Sequence, residues 1–385
     1  MAKHLHFSEE ELAGRRRRTC ESMTAKGLDG LLIFRQETMY YLTGYDTMGY
    51  SQFQCLYMGA DGDLTLVTRS ADLRQSAFTS IIEDVRIWVD SGAANPGLDV
   101  RKVLEEKGCR RKKLGVELEA WTLTGRRWEM MKSALYGFCS WEDASHLVSE
   151  IRLTKSPQEI EYVRKAASLA DDALEVAYEL IEPGLPEQEL FAGMHAAVFR
   201  GGGDYPAGRW IIGSGERALM VRHITGHGNI GDNDQVQLEF GATYRHYHSC
   251  LMRTALTGTP DPQFHKMHEA GVNALHAAQA ACKPGATFGD VFDAHAKVFD
   301  EAGFREHRLN ACGYSLGALY PPTWMDYPML FTGNPVVIQP NMVIFMHMIL
   351  LDSGRGITMS PGETALVTET GCERLSRMPL DLVVK

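Results

Sequence analysis

A helix start at residue 156 and a helix stop at residues 183–184, repeated in kind about a hundred residues later, constrain this chain more than any other feature. Ser156-Pro157-Gln158-Glu159 places Ser at an N-cap, Pro at the first helical position and Glu three residues after the cap. The hydroxyl and the carboxylate then satisfy backbone N–H groups reciprocally. Ile160, Val163, Ala167, Ala170, Leu174, Ala177 and Ile181 recur at helical spacing until Pro183-Gly184 stops the run. A second helix is predicted over roughly Glu187 to Arg200. The device then returns. A helix from about Gln263 to Cys282 stops at Pro284-Gly285, and another is predicted from about Phe288 to Ala302. Glycine-rich sequence follows each pair, Gly201-Gly202-Gly203 and Cys312-Gly313-Tyr314-Ser315-Leu316-Gly317, and strand-like sequence follows that. Residues 151–385 therefore read as two helix–helix–sheet halves of one duplicated domain, chance similarity of two helical pairs being the alternative.

Ahead of the boundary near residue 150 lies a smaller α/β domain, residues 1–150. A chain of 385 residues is too long for one ordinary core. Glu9 to Ala25 reads as an amphipathic helix and Leu31 to Phe34 as a short buried strand, with Tyr40 to Tyr45 following within a few residues. Gln54 to Met58 and Leu64 to Val67 flank Ala60-Asp61-Gly62-Asp63 as a hairpin would, and Leu114 to Glu117 is a further strand. The fold class is α/β (α+β).

Charge removes several functions. Lys plus Arg is 39 against 49 Asp plus Glu, a formal charge of −10, which gives no attraction to a nucleic-acid backbone or an anionic membrane. The basic runs Arg15–Arg18 and Arg110–Lys113 read as solvated faces. No stretch of about 18 apolar residues exists to span a membrane, and Met1-Ala2-Lys3-His4 lacks the apolar core of a signal peptide. Eight scattered cysteines, with no CxxC pair, are expected as reduced thiols of a cytoplasmic protein.

Several motifs carry a family likeness. Arg152, Lys155-Ser156-Pro157 and Glu159 at the boundary, Glu239-Phe240-Gly241-Ala242-Thr243-Tyr244 with Tyr247 and Arg253-Thr254, Gly313 to Gly317, Asn341-Met342-Val343 and Glu363 to Gly371 occur in order. Together they resemble the pita-bread family of prolidase, aminopeptidase P, methionine aminopeptidase and creatinase. That resemblance implies a creatinase-like N-terminal domain followed by a pita-bread catalytic domain with internal pseudo-two-fold symmetry. Within the family the likeness to ectoine hydrolase is greatest, through Gly202 to Ala207, Arg245 to His248, and Gly313-Tyr314 followed by Tyr320-Pro321-Pro322 and Trp324.

Peptidases of this family hold two divalent metals with two Asp, one His and two Glu. The resemblance places Glu239 at the first Asp position, Cys250 eleven residues on at the second, Tyr314 at the His, His347 at the first Glu and Gly362 at the second. One carboxylate with a thiol, a phenol and an imidazole does not neutralise two dications. No metal and no cofactor is expected, a single soft metal on Glu239, Cys250 and His347 being the remaining alternative.

The resemblance then implies metal-independent hydrolysis of a non-peptide C–N bond in a small amidine or guanidine zwitterion, most nearly the ring opening of ectoine. Glu239 would be nucleophile or base and His223 the acid/base. The bland readings are Glu239 paired with Arg253 and His223 as an exposed loop histidine. Asp204, Tyr205, His248, Cys250, Tyr314, Trp324, His347 and Glu363 are the candidate substrate contacts. His248 shares a strand face with His246 and is equally readable as core, Cys250 as apolar filler, and Glu363 as a plain ion-pair partner. Tyr50 and Phe53 are candidates from a loop that, in similar enzymes, reaches the site of a partner subunit, which implies a homodimer; hairpin-core packing is the alternative for each. Rival functions are creatine-type amidinohydrolysis, a lyase acting on a dimethylsulfoniopropionate-type zwitterion, and an inactive pita-bread module that binds a peptide or protein.

Overall fold

The structure, a computed structural model, describes residues 3–222 and 226–385. The chain divides into two compact units, Met1–Arg152 and Leu153–Lys385.

In the first unit α1 (Glu9–Ala25) begins at Ser8, whose hydroxyl accepts the Glu11 N–H at 3.1 Å. There follow β1 (Gly30–Ile33), α2 (Gln36–Thr43), β2 (Cys55–Gly59), β3 (Leu64–Thr68), α3 (Leu73–Thr79), β4 (Asp84–Ile87), α4 (Pro96–Glu106), β5 (Lys113–Val116), α5 (Gly125–Leu135), β6 (Ser140–Asp143) and α6 (Leu147–Arg152). The six strands form one sheet in the order β4-β3-β2-β1-β5-β6. The β1–β2 and β2–β3 pairs are antiparallel and the rest parallel. All of β1 is buried because both faces of the sheet are covered. Leu32 joins a core with Val100, Leu104 and Met131, while Leu31 and Ile33 join Met23, Met39 and Leu147 on the opposite side. Tyr40 to Tyr45 closes α2, with Gly44 at φ 79 as its C-cap.

The second unit opens with α7 (Pro157–Leu180), and its capping box is complete: Glu159 N–H donates to Ser156 Oγ at 3.4 Å and Ser156 N–H to Glu159 Oε2 at 2.9 Å. Next come α8 (Glu187–Arg200), β7 (Ile211–Ser214), β8 (Gln235–Tyr244), β9 (Tyr247–Leu256), α9 (Gln263–Ala281), α10 (Phe288–Glu301), β10 (Gly313–Ser315), β11 (Asp326–Met329), β12 (Val343–His347), β13 (Leu350–Asp352), β14 (Ile357–Met359), β15 (Gly362–Val367) and β16 (Cys372–Arg374). An antiparallel sheet runs β11-β10-β12-β15-β9-β8-β7, with β16 also on β15, and β13 pairs β14 separately.

The duplication is visible in the hydrogen bonds. Gly184 and Gly285 end the first helix of each pair at the same left-handed φ of 88. Gly184 N–H donates to Ile230 O at 2.8 Å and Ile230 N–H returns to Leu185 O at 2.9 Å. Gly285 N–H donates to Ile338 O at 3.0 Å and Ile338 N–H returns to Ala286 O at 2.8 Å. The halves join where β9 meets β15, with Leu251 opposite Glu363 and Met252 opposite Gly362. Met267, Leu275, Phe292 and Phe299 of α9 and α10 cover Ile344, Met346 and Ala365. The alternate residues of those strands occupy the other face. All eight cysteines are free. Among the described residues no helix is long and apolar enough to cross a membrane.

Candidate active site

Register collects the candidate residues from both halves onto that other face. Glu239 pairs with Met252 and Gly241 with Cys250 across β8 and β9. Met252 pairs with Gly362 across β9 and β15, and Gly362 with His347 across β15 and β12. Phe345 pairs with Tyr314. Directly opposed residues of an antiparallel pair point to the same side, so Glu239, Cys250, Gly362, His347 and Tyr314 share one face. Two glycines let the walls close in. A Cβ on Gly241 would lie 2.9 Å from Cys250 Sγ, and one on Gly208 would lie 2.4 Å from the Trp324 ring. Trp324 is thereby pressed into the site, where its indole N–H donates to the Tyr314 hydroxyl at 2.8 Å. Tyr314 and His347 lie with ring centroids 5.7 Å apart.

This site is poor in polar partners, and its ionisable groups shift accordingly. Burial raises the Glu239 carboxyl to about 7, with the Arg222 charge opposing it. Burial holds the Cys250 thiol well above its usual range, and the Glu239 charge adds to this, so Cys250 is a neutral thiol. Tyr314 is likewise held up, chiefly by burial. His347 is lowered to about 4 by burial, with His295 and Arg222 contributing, and its buried Nδ1 has no hydrogen-bond partner. Near neutral pH the site therefore holds one carboxyl of raised pKa beside a neutral thiol, phenol and imidazole, with the Arg222 charge acting on it.

That donor set does not fit a pair of divalent cations, which need several anionic oxygens. Among the described residues no three His, Cys, Asp or Glu side chains group as metal ligands would. Gly362 is not an open vacancy either: a Cβ there would lie 3.1 Å from both Met252 Cβ and the Met346 carbonyl.

The expectations for Glu363, His248 and Phe53 are corrected. Glu363 lies on the opposite face, fully buried, where Arg253 Nη2 donates to it at 2.6 Å and Arg374 binds it through Nε at 2.9 Å and Nη2 at 2.6 Å. It braces the sheet, and Arg253 is consequently not the partner of Glu239. His248 is fully buried and committed at both ring nitrogens: Nε2 accepts the Ala207 N–H at 2.9 Å, which leaves Nδ1–H for the Gly317 carbonyl at 3.4 Å. Burial lowers it to about 3, so it is a neutral tether for the 205–208 loop. His246 does not share its strand face. Arg245 and His246, at φ 50 and 67, form the two-residue turn of the β8–β9 hairpin. Asp204 accepts the Arg245 N–H and holds that turn. Tyr205 is 80% exposed. Phe53 belongs to the core of the first unit, 6.0 Å from the Phe34 ring and 6.3 Å from Trp88. Tyr50 is buried, its hydroxyl 3.4 Å from Met48 Sδ. His223 lies outside the described residues.

Sequence reasoning missed two contributors. Arg222 carries the positive charge acting on Glu239, Tyr314 and His347. Thr364 links β15 to β9 by accepting the Cys250 N–H at 2.8 Å and donating to the Cys250 carbonyl at 2.9 Å. The Arg222-His223 dipeptide was a signal for the first. For the second no short-range pattern exists, because the contact spans 114 residues.

Comparison with known proteins agrees with the fold. Residues 161–369 match the model of metallopeptidase family M24, and residues 15–154 match the creatinase/prolidase N-terminal domain. The chain is 27% identical to the ectoine hydrolase of Halomonas elongata over 99% of each chain. It is 30% identical to a protein of Sinorhizobium fredii named as an uncharacterized hydrolase/peptidase, y4tL, over 93% of this chain and 92% of that one. Among solved structures, a prolidase from Thermococcus sibiricus superposes with a TM-score of 0.88 at 21% identity, covering 98% of this chain and all of the other.

Proposed function

The chain belongs to metallopeptidase family M24, and from that premise we propose that it is a metal-independent hydrolase of a non-peptide C–N bond in a small amidine zwitterion, with ring opening of an ectoine-type cyclic amidine as its reaction. The observation that carries this reading is the Glu239 carboxyl at about 7 on a face where Cys250, Tyr314 and His347 are all neutral.

A cationic amidinium entering this face meets a carboxyl half-deprotonated near neutrality. The bound charge favours the carboxylate, so the substrate draws out the base it needs. Glu239 then takes a proton from a water as its oxygen adds to the amidine carbon. The tetrahedral adduct collapses with cleavage of one C–N bond. The departing nitrogen takes a proton, a role assigned to His223, and the products are an amide and an amine. Tyr314 and Trp324 wall the cation, a ring face contributing about 0.5–2 kcal/mol. A two-metal peptidase reaction would need anionic ligands that this face lacks.

A panel of ectoine, hydroxyectoine, creatine, guanidinoacetate and a Xaa-Pro dipeptide, followed by NMR with and without chelator, tests the reading. Chelator-insensitive opening of a cyclic amidine is expected, together with less than one equivalent of transition metal in the purified protein. Cleavage of the dipeptide that depends on added divalent metal would overturn it.

A further inference from the structure

A cavity of about 1030 Å³ lies against the β7 edge of the large sheet, lined by α8, the 205–211 loop, Arg222 and Pro321-Pro322. It adjoins the candidate site in two ways. Ile211 lines it and pairs directly with Glu239. Arg222 also lines it and is the charge that acts on Glu239. Its volume falls at the upper end of the roughly 300–1000 Å³ typical of sites for drug-sized ligands, more than a compact cyclic zwitterion fills.

The walls define the ligand. Trp210 stacks on His195 at 3.8 Å and 10°, with Phe191 6.0 Å from Trp210. His195 Nδ1 is buried with no hydrogen-bond partner among the described residues. Burial lowers this imidazole to about 4, so it offers a neutral polar atom in an aromatic cleft. At the rim stand Arg209 and Arg222. Neither makes an ion pair or hydrogen bond among the described residues, although the chain has ten more acidic than basic side chains by its charge of −10. Two guanidiniums without a hydrogen-bonded carboxylate among the described residues, beside an aromatic cleft, select an anion attached to a flat apolar group.

We propose that this cavity seats a flat apolar ligand ending in a carboxylate, the ring lying against Phe191 and Phe199 of α8 and the carboxylate meeting Arg209 and Arg222. What happens to the ligand rests on the hydrolase reading; its binding does not.

The test uses 3-phenylpropionate as probe, titrated against the full-length protein by calorimetry and tryptophan fluorescence, with phenethylamine and acetate as controls. Saturable binding of 3-phenylpropionate at least tenfold tighter than either control is expected. Arg222→Gln should weaken it tenfold or more, Ala192→Trp, which fills the cavity from α8, should abolish it, and Glu239→Ala should retain it. Equal affinity for phenethylamine, or unchanged binding by Ala192→Trp, overturns the proposal. Absence of amidine turnover would count against the hydrolase reading alone, because these binding measurements do not involve it.

Discussion

The indole N–H of Trp324 donates to the Tyr314 hydroxyl at 2.8 Å on a face where the neighbouring imidazole has an unpartnered nitrogen. Both residues are nearly fully buried. Removing the hydroxyl leaves the indole N–H without an acceptor in a dry site, which costs about 1–3 kcal/mol. Tyr314→Phe should lower the unfolding free energy by that amount, seen as a lower denaturant midpoint at an unchanged m-value. Trp324→Phe removes donor and acceptor demand together, so the double variant should cost less than the sum of the singles.

Glu239 has a folded-state pKa of about 7 against an ordinary 4.5. Between those values the folded chain holds a proton that the unfolded chain has released. Stability contributed by this group therefore falls as pH rises through the window and is flat above about 7. Glu239→Gln has no such group, so its advantage over wild type should open from pH 4.5 to 7 and reach about 1–3 kcal/mol at pH 8. Thermal melts across that range check it. A constant difference at all pH values would refute the raised pKa.

The same carboxyl governs the rate. The kcat/KM profile should rise toward alkaline pH with a midpoint near 7 for the free enzyme. A bound cation lowers that midpoint, so the kcat profile should titrate at a lower pH. Calorimetry at pH 6 in buffers of differing ionisation enthalpy should accordingly show proton release on substrate binding.

Glu363 is a structural anion held by Arg253 and Arg374. Replacing it with Ala leaves the buried Arg253 guanidinium without its carboxylate, a loss of roughly 3–5 kcal/mol. Turnover per folded molecule should be unchanged at a temperature where the variant remains native. Loss of kcat with full stability would return Glu363 to the substrate.

His248→Leu leaves the buried Ala207 N–H unaccepted and frees the 205–208 loop. A destabilisation of about 1–3 kcal/mol is expected. No basic limb near pH 6 should disappear from the rate profile, because the imidazole stays neutral there.

Local chemistry was legible at long range in α7 to α10, since caps and stops act within a few residues of themselves. Ser156, Glu159, Gly184 and Gly285 occupy the roles their residue types dictate. Sheet face was not legible. Glu363 and Gly362 are adjacent in sequence and point to opposite sides, so deciding which side holds the site required the register of β9 against β15. His246 and His248 have the spacing of one strand face, but the left-handed φ of Arg245 and His246 turns the chain before alternation applies. Arg222 acts through space on groups up to 125 residues away, a relation no local pattern encodes.

Gly362 carries a last consequence. Between Met252 Cβ and the Met346 carbonyl there is no slack for even a methyl group without neighbours yielding by a few tenths of an ångström. A larger side chain at this position therefore requires β9 and β12 to yield by that much. Substitutions at residue 362 should accordingly be better tolerated once residue 252 has been made smaller.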